Sequence, residues 1–262
     1  MGHESRIMTD KIQVKGAALN AQAVGKGPTI VFLHGLGMDM SVFNGLIHRF
    51  PDHRIIRFDL RGQGQSSVPD GPYTMGGLIA DTEAVLDHYS ARDTVVFGLS
   101  MGGMIAQGLA VKRLDLVRGM VLCAAAAKFG QADPWHARAA TARTKGMTAL
   151  VDETLTRWNA KDGDEHARTR FIAANPEGYA ASCEAVAGTD FYTPTSGLRL
   201  PTLGLCGDRD KSTPPDLVRE TTDLIPGSKF QLIHGAGHVA PETHADVVAG
   251  HLCEFLIGIG HI

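Results

Sequence analysis

The chain has 262 residues, enough for one large α/β domain with an insertion or for two small domains. Its formal net charge is −3 and no basic run exceeds two residues, which argues against nucleic acid or an anionic membrane surface as a partner. No apolar run approaches the ~20 residues needed to span a bilayer.

The start, Met1-Gly2-His3-Glu4-Ser5-Arg6, is polar and lacks the apolar core of a signal peptide, so a cytoplasmic location is expected. Met8 offers a second start, which would leave residues 1–7 outside the fold. An N-terminal hairpin is expected over roughly 11–14 and 19–24, followed by strands at 29–33, 54–58, 93–97, 118–123, 201–206 and 229–233. Helices fit 41–50, 74–89, 101–112, 215–225 and 241–255. Short apolar runs that alternate with helices predict an α/β fold: a mostly parallel eight-stranded sheet covered on both faces. Between about 126 and 197 the strand signal vanishes. That stretch is helical, with starts marked at Asp133-Pro134 and Asn175-Pro176, each an N-cap residue followed by proline. It is read as a four-helix cap, residues 126–197, inserted after the sixth strand of a single domain spanning 1–262.

Gly98-Leu99-Ser100-Met101-Gly102 lies between the apolar run Thr94-Val95-Val96-Phe97 and a helix of small residues. A serine on such a turn projects its hydroxyl out of the sheet, and flanking glycines remove the clashes of a tight strand-to-helix reversal. The helix that begins there aims free N–H groups at charge forming above the serine. A G-x-S-x-G match arises by chance in about one chain in seven of this composition, so its partners decide the reading.

A nucleophilic serine needs a base, a carboxylate that orients the base, and donors for an oxyanion. His238, in Gly235-Ala236-Gly237-His238, follows the last strand and is the expected base. Asp210 and Asp208 both follow the strand at 201–206; Asp210, three residues before Thr213-Pro214, is preferred, with Asp208 stabilising the turn. The Leu36 and Met101 amides are the expected oxyanion donors, Leu36 lying in His34-Gly35-Leu36-Gly37 after a buried strand. A dinucleotide loop is the rival there, and it fails because Met40 stands where a third glycine belongs. His234 and His238 are four apart, but Gly235 and Gly237 make that segment a loop; no metal site and no cofactor are expected. Cys123, Cys183, Cys206 and Cys253 include no C-x-x-C and read as reduced thiols.

The chain order Ser100, Asp210, His238 resembles that of the α/β-hydrolases, as does Asp59-Leu60-Arg61-Gly62-Gln63-Gly64-Gln65-Ser66, with Gln63 where a histidine is often found. A narrower resemblance, to 3-oxoadipate enol-lactonases, rests on Leu122-Cys123 with its alanines, Trp135-His136-Ala137-Arg138, Gly146-Met147 and Pro176-Glu177-Gly178-Tyr179-Ala180-Ala181. It implies an α/β-hydrolase fold and opening of a carboxylate-bearing enol lactone in aromatic-compound catabolism. The partner would be a small-molecule substrate, with no nucleic acid or membrane, and the protein a monomer or small homo-oligomer. Trp135 and Arg138, three apart on a cap helix, then become the candidate apolar wall and carboxylate anchor; an exposed arginine beside a core tryptophan is the alternative. A general carboxylesterase, a carbon–carbon bond hydrolase of a ring-cleavage product, or a ligand sensor on the same fold remain as rivals.

Overall fold

The computed structural model describes residues 9–160 and 165–262; Met8 and the segment before it lie outside the described residues. Eight strands form one sheet: β1 (Asp10–Val14), β2 (Ala17–Val24), β3 (Thr29–Leu33), β4 (Arg54–Phe58), β5 (Thr94–Leu99), β6 (Val117–Cys123), β7 (Thr202–Gly207) and β8 (Lys229–Ile233). Their order is β1-β2-β4-β3-β5-β6-β7-β8. The β1–β2 and β2–β4 pairs are antiparallel and every later pair is parallel. Burial follows position. β3 and β5, central and covered on both faces, are buried at every residue, whereas β8 at the edge keeps Lys229 and Gln231 in solvent.

The first half of the domain contributes α1 (Asn44–Ile47), α2 (Met75–His88) and α3 (Met101–Lys112). The expected helix at 41–50 is a 3-10 turn, Met40–Phe43, running into the single turn of α1. Gly45 weakens a longer helix, and a Cβ there would meet Ala245 at 2.9 Å. Thr74 caps α2 by accepting the Gly77 N–H. α3 lies in the core with Met101 through Ala110 all buried.

Between β6 and β7 lie α4 (Ala132–Lys145), α5 (Val151–Trp158), α6 (Glu165–Ala173), α7 (Pro176–Ala187) and the short α8 (Tyr192–Ser196). Among the described residues these are four helices of eight residues or more and one further turn. Asn175 caps α7 with Pro176 at the first helical position. Asp133 does not cap α4: the helix starts at Ala132, and Gln131 holds the cap position without a side-chain bond. Proline fits within the first turn because those N–H groups have no intrahelical acceptor in any case. After the insertion come α9 (Pro215–Asp223), α10 (Ala240–Thr243) and α11 (Ala245–Gly258). The single helix expected at 241–255 is thus broken at His244, whose φ of −134° and ψ of 43° leave the helical region. No helix among the described residues is long and apolar enough to cross a membrane.

Candidate active site

Ser100 follows β5 with φ 55° and ψ −117°, a left-handed conformation that costs a side-chain-bearing residue roughly 1–3 kcal/mol. The surroundings hold it there. Its N–H donates to the Cys123 carbonyl at 2.9 Å, and its carbonyl accepts from Gly103 N–H at 2.8 Å. A Cβ at Gly98 would lie 2.4 Å from the Gly102 carbonyl oxygen, and one at Gly102 would lie 2.1 Å from that of Leu33. Both glycines are therefore required by backbone approach.

The loop after β3 is pinned on both sides of Leu36. His34 is fully buried; its Nε2 accepts the Leu60 N–H at 2.9 Å, so its Nδ1 carries the proton and donates to the Gly35 carbonyl at 2.8 Å. Burial pushes the His34 pKa below its ordinary value and keeps the ring neutral. The Gly37 N–H donates to Gln63 Oε1 at 2.7 Å, which gives the residue that departs from the family's turn a direct hold on this loop. The turn itself is organised by Asp59, which accepts from Met40 N–H, Asn20 Nδ2 and Gln65 N–H, and by a paired Arg61–Asp81 contact at 2.7 and 2.6 Å. Among the described residues, neither the Leu36 nor the Met101 amide donates to a protein acceptor.

Asp210 and His238 meet. Asp210 Oδ2 accepts from His238 Nδ1 at 2.8 Å, while Oδ1 accepts the amides of Ser212 and Thr213 at 2.8 and 2.9 Å. Both side chains are buried, so this contact is shielded from solvent screening. Asp208 instead accepts from Gly235 N–H and His234 Nδ1 and stabilises the turn, as the sequence suggests. Burial raises the neighbouring Cys206 and Cys123 thiols well above their ordinary values, leaving them neutral beside the carboxylate. Ser100, Asp210 and His238 all follow parallel strands at the carboxyl edge of the sheet.

Trp135 and Arg138, on α4, line a cleft of about 320 Å³ together with Ser100, Phe129, Thr213 and Leu217. The Arg138 guanidinium stands 4.7 Å from the Trp135 ring centroid, and the indole N–H donates to the Phe129 carbonyl at 2.6 Å. Arg157 adds positive charge nearby; its guanidinium is disfavoured first by burial and then by repulsion from Arg138. A second cleft, of about 500 Å³, lies between Asp39, Arg57 and the cap helix α6; neither Ser100 nor His238 lines it. Among the described residues, no three His, Cys, Asp or Glu side chains are grouped to hold a metal ion.

Sequence reasoning missed three supports. Trp158 stacks on His238; Arg170 of α6 forms a paired 2.7 Å contact with Glu242, four residues after His238; and Gln107 bonds Thr195 of α8 at 2.9 Å. None carries a motif. Each is an ordinary core or surface residue until the chain is folded.

The chain matches the model of the alpha/beta hydrolase family over residues 30–251. A 3-oxoadipate enol-lactonase from Acinetobacter baylyi is 32% identical over 214 residues, covering 78% of this chain and 80% of that one. A pimeloyl-[acyl-carrier protein] methyl ester esterase from Xylella fastidiosa is 28% identical, over 90% of this chain and 97% of its own. The crystal structure of the enol-lactonase from Burkholderia xenovorans superposes with a TM-score of 0.89 at 32% identity, covering 93% of this chain and 98% of that one. With the eight-stranded sheet and the turn at Ser100 in view, the chain is a hydrolase that belongs to the α/β-hydrolase family and resembles its enol-lactonases.

Proposed function

We propose that this protein opens 3-oxoadipate enol-lactone to 3-oxoadipate through an acyl-enzyme, with Ser100, His238 and Asp210 as its catalytic triad. His238 takes the Ser100 hydroxyl proton as the oxygen attacks the lactone carbonyl, and Asp210 holds the imidazole through Nδ1. The Leu36 and Met101 amides receive the oxyanion; one such donor is worth ~2.7–4 kcal/mol in the transition state. Collapse breaks the ring C–O bond. The enol oxygen leaves with the proton from His238, and the released enol becomes a ketone. His238 then deprotonates a water that hydrolyses the ester at Ser100, and the product departs with a carboxylate at each end. The reaction needs no cofactor on this route. The setting would be aromatic-compound catabolism in the cytoplasm, by a monomer or small homo-oligomer.

The observation that carries this reading is the cleft that Ser100 shares with Trp135 and Arg138: an apolar wall and one cation beside the nucleophile suit a small acyl group bearing a free carboxylate. Ester hydrolysis is the second reading, supported by the methyl ester esterase relatives that match over 90% of the chain. The two part in one experiment. Ultraviolet loss of the enol-lactone on adding protein is followed for wild type and Arg138→Ala, beside a neutral ester. A KM rise of about tenfold or more for the lactone alone supports the anchor. An equal change for both substrates overturns the anchor role of Arg138, and a higher kcat/KM for the ester in wild type refutes the lactonase reading.

A further inference from the structure

His238 sits in a loop of glycines and alanine, Gly235-Ala236-Gly237, with no bulky side chain to fix it, and yet its ring is buried. What holds it comes from the insertion. α5 ends at Trp158 because Asn159 turns into the left-handed region, φ 51° and ψ 39°, which leaves the last carbonyls of the helix pointing onward. Two consecutive ones are used on the two halves of the acid–base pair. The Arg157 carbonyl accepts from Lys211 N–H at 3.0 Å, one residue past Asp210, and the Trp158 carbonyl accepts from His238 N–H at 2.9 Å. A Cβ at Gly237 would lie 2.0 Å from that Trp158 oxygen, so loop and helix end are in direct backbone contact.

Above this contact the Trp158 indole packs offset against the His238 ring, centroids 5.9 Å apart and planes 23° from parallel. Trp158 meets Phe171 edge-on at 5.8 Å, and Phe171 meets Tyr179 at 5.5 Å. Phe171 and Tyr179 in turn are what a Cβ at Gly37 would strike, at 2.7 and 3.2 Å. One row of three cap aromatics therefore runs from the histidine to the loop that carries Leu36.

We infer that Trp158 is a positioning residue for His238, and that the cap is part of the acid–base machinery as well as the wall of the cleft. This rests on the serine-hydrolase reading above. The indole and the helix end fix the imidazole against Asp210, and the carbonyl end of α5 favours the positive charge that His238 gains on taking the Ser100 proton. Misplacing a catalytic group by about 1 Å costs on the order of 100-fold in rate.

The test compares Trp158→Leu and Trp158→Phe on the enol-lactone and on p-nitrophenyl acetate, with a proton spectrum of each protein. Trp158→Leu is expected to lower kcat by about 10- to 100-fold on both substrates with little change in KM, and Trp158→Phe to restore most of it. A low-field proton from His238 Nδ1–H, assigned by its loss in His238→Gln, is expected in wild type and Trp158→Phe and broadened away in Trp158→Leu. If Trp158→Leu does not fold, Trp158→Met takes its place. An unchanged kcat per folded molecule with an intact low-field line overturns the inference, as does a KM rise confined to the lactone. If wild type turns over neither substrate, the hydrolase reading fails, and the low-field line still reports whether Trp158 positions the ring.

Discussion

α3 and α4 are nearly equal in length and opposite in what holds them. α3, under the nucleophile, buries ten consecutive residues and includes three glycines where neighbours press in. α4, over the cleft, buries only Ala139 and Ala142 and is tied to α7 by Arg143, which grips Glu177 and Glu184. The helix beneath the serine is packed all round, whereas the helix above it packs one alanine face against α7 and is clasped near its exposed end by ion pairs. Close-packed parts tolerate no added atom. Exposed ion pairs respond to pH and salt.

Three perturbations sharpen that contrast. Ser100→Gly removes both the hydroxyl and the conformational penalty at φ 55°; activity is expected to fall by about 10⁴-fold or more while unfolding free energy rises by about 1 kcal/mol, read from steady-state assays and chemical denaturation. An unchanged or lower stability would mean that the turn stores no strain. Next, Arg170→Ala removes one side of the largely buried pair that ties α6 to Glu242 of α10, and is expected to cost about 2–3 kcal/mol. The Arg170→Ala/Glu242→Ala double variant should lose less than the sum of the single changes, and additivity in that cycle would dismiss the coupling.

The smallest effect belongs to Arg143→Ala, under about 1 kcal/mol at neutral pH because the pair is exposed. Arg143 holds the Glu177 carboxyl below its ordinary value through the hydrogen-bonded ion pair. A depressed carboxylate stabilises above its unfolded pKa and loses that contribution as pH falls through the folded one. The gap between wild type and Arg143→Ala should therefore be full at pH 7 and close as the pH falls below the ordinary carboxylate range, with denaturation midpoints as the readout. A gap that persists in acid would assign it to lost side-chain packing.

The same contrast explains what could be read without coordinates. All eight strands lie within a few residues of their expected places, because apolar runs between turn residues leave few other structures open. Asp210 could be told from Asp208 because a carboxylate followed by Thr213-Pro214 has two amides within reach, and those are the amides it binds. In the insertion the rules are weaker. Trp158, at the end of a short amphipathic helix, looks like any core tryptophan, and only the left-handed turn at Asn159 sends it to the histidine. Arg170 and Glu242 are 72 positions apart and on different helices, so no local pattern pairs them. Asp133-Pro134 misled because proline is tolerated anywhere in a first turn, so it marks a helix start only to within about three residues.

One backbone bond closes the larger part of the helical insertion, α4 through α7. The Phe191 N–H donates to the Ala127 carbonyl at 2.9 Å, so residues 128–190 leave and rejoin the molecule at a single rung. Because the interval's ends are already neighbours, a change in its length alters the chain entropy of closure only slowly, while its contents stay tied to the loops of Asp210 and His238 through the Arg157 and Trp158 carbonyls. The strand register below lies outside that rung, so the insertion can lengthen or shorten without shifting it.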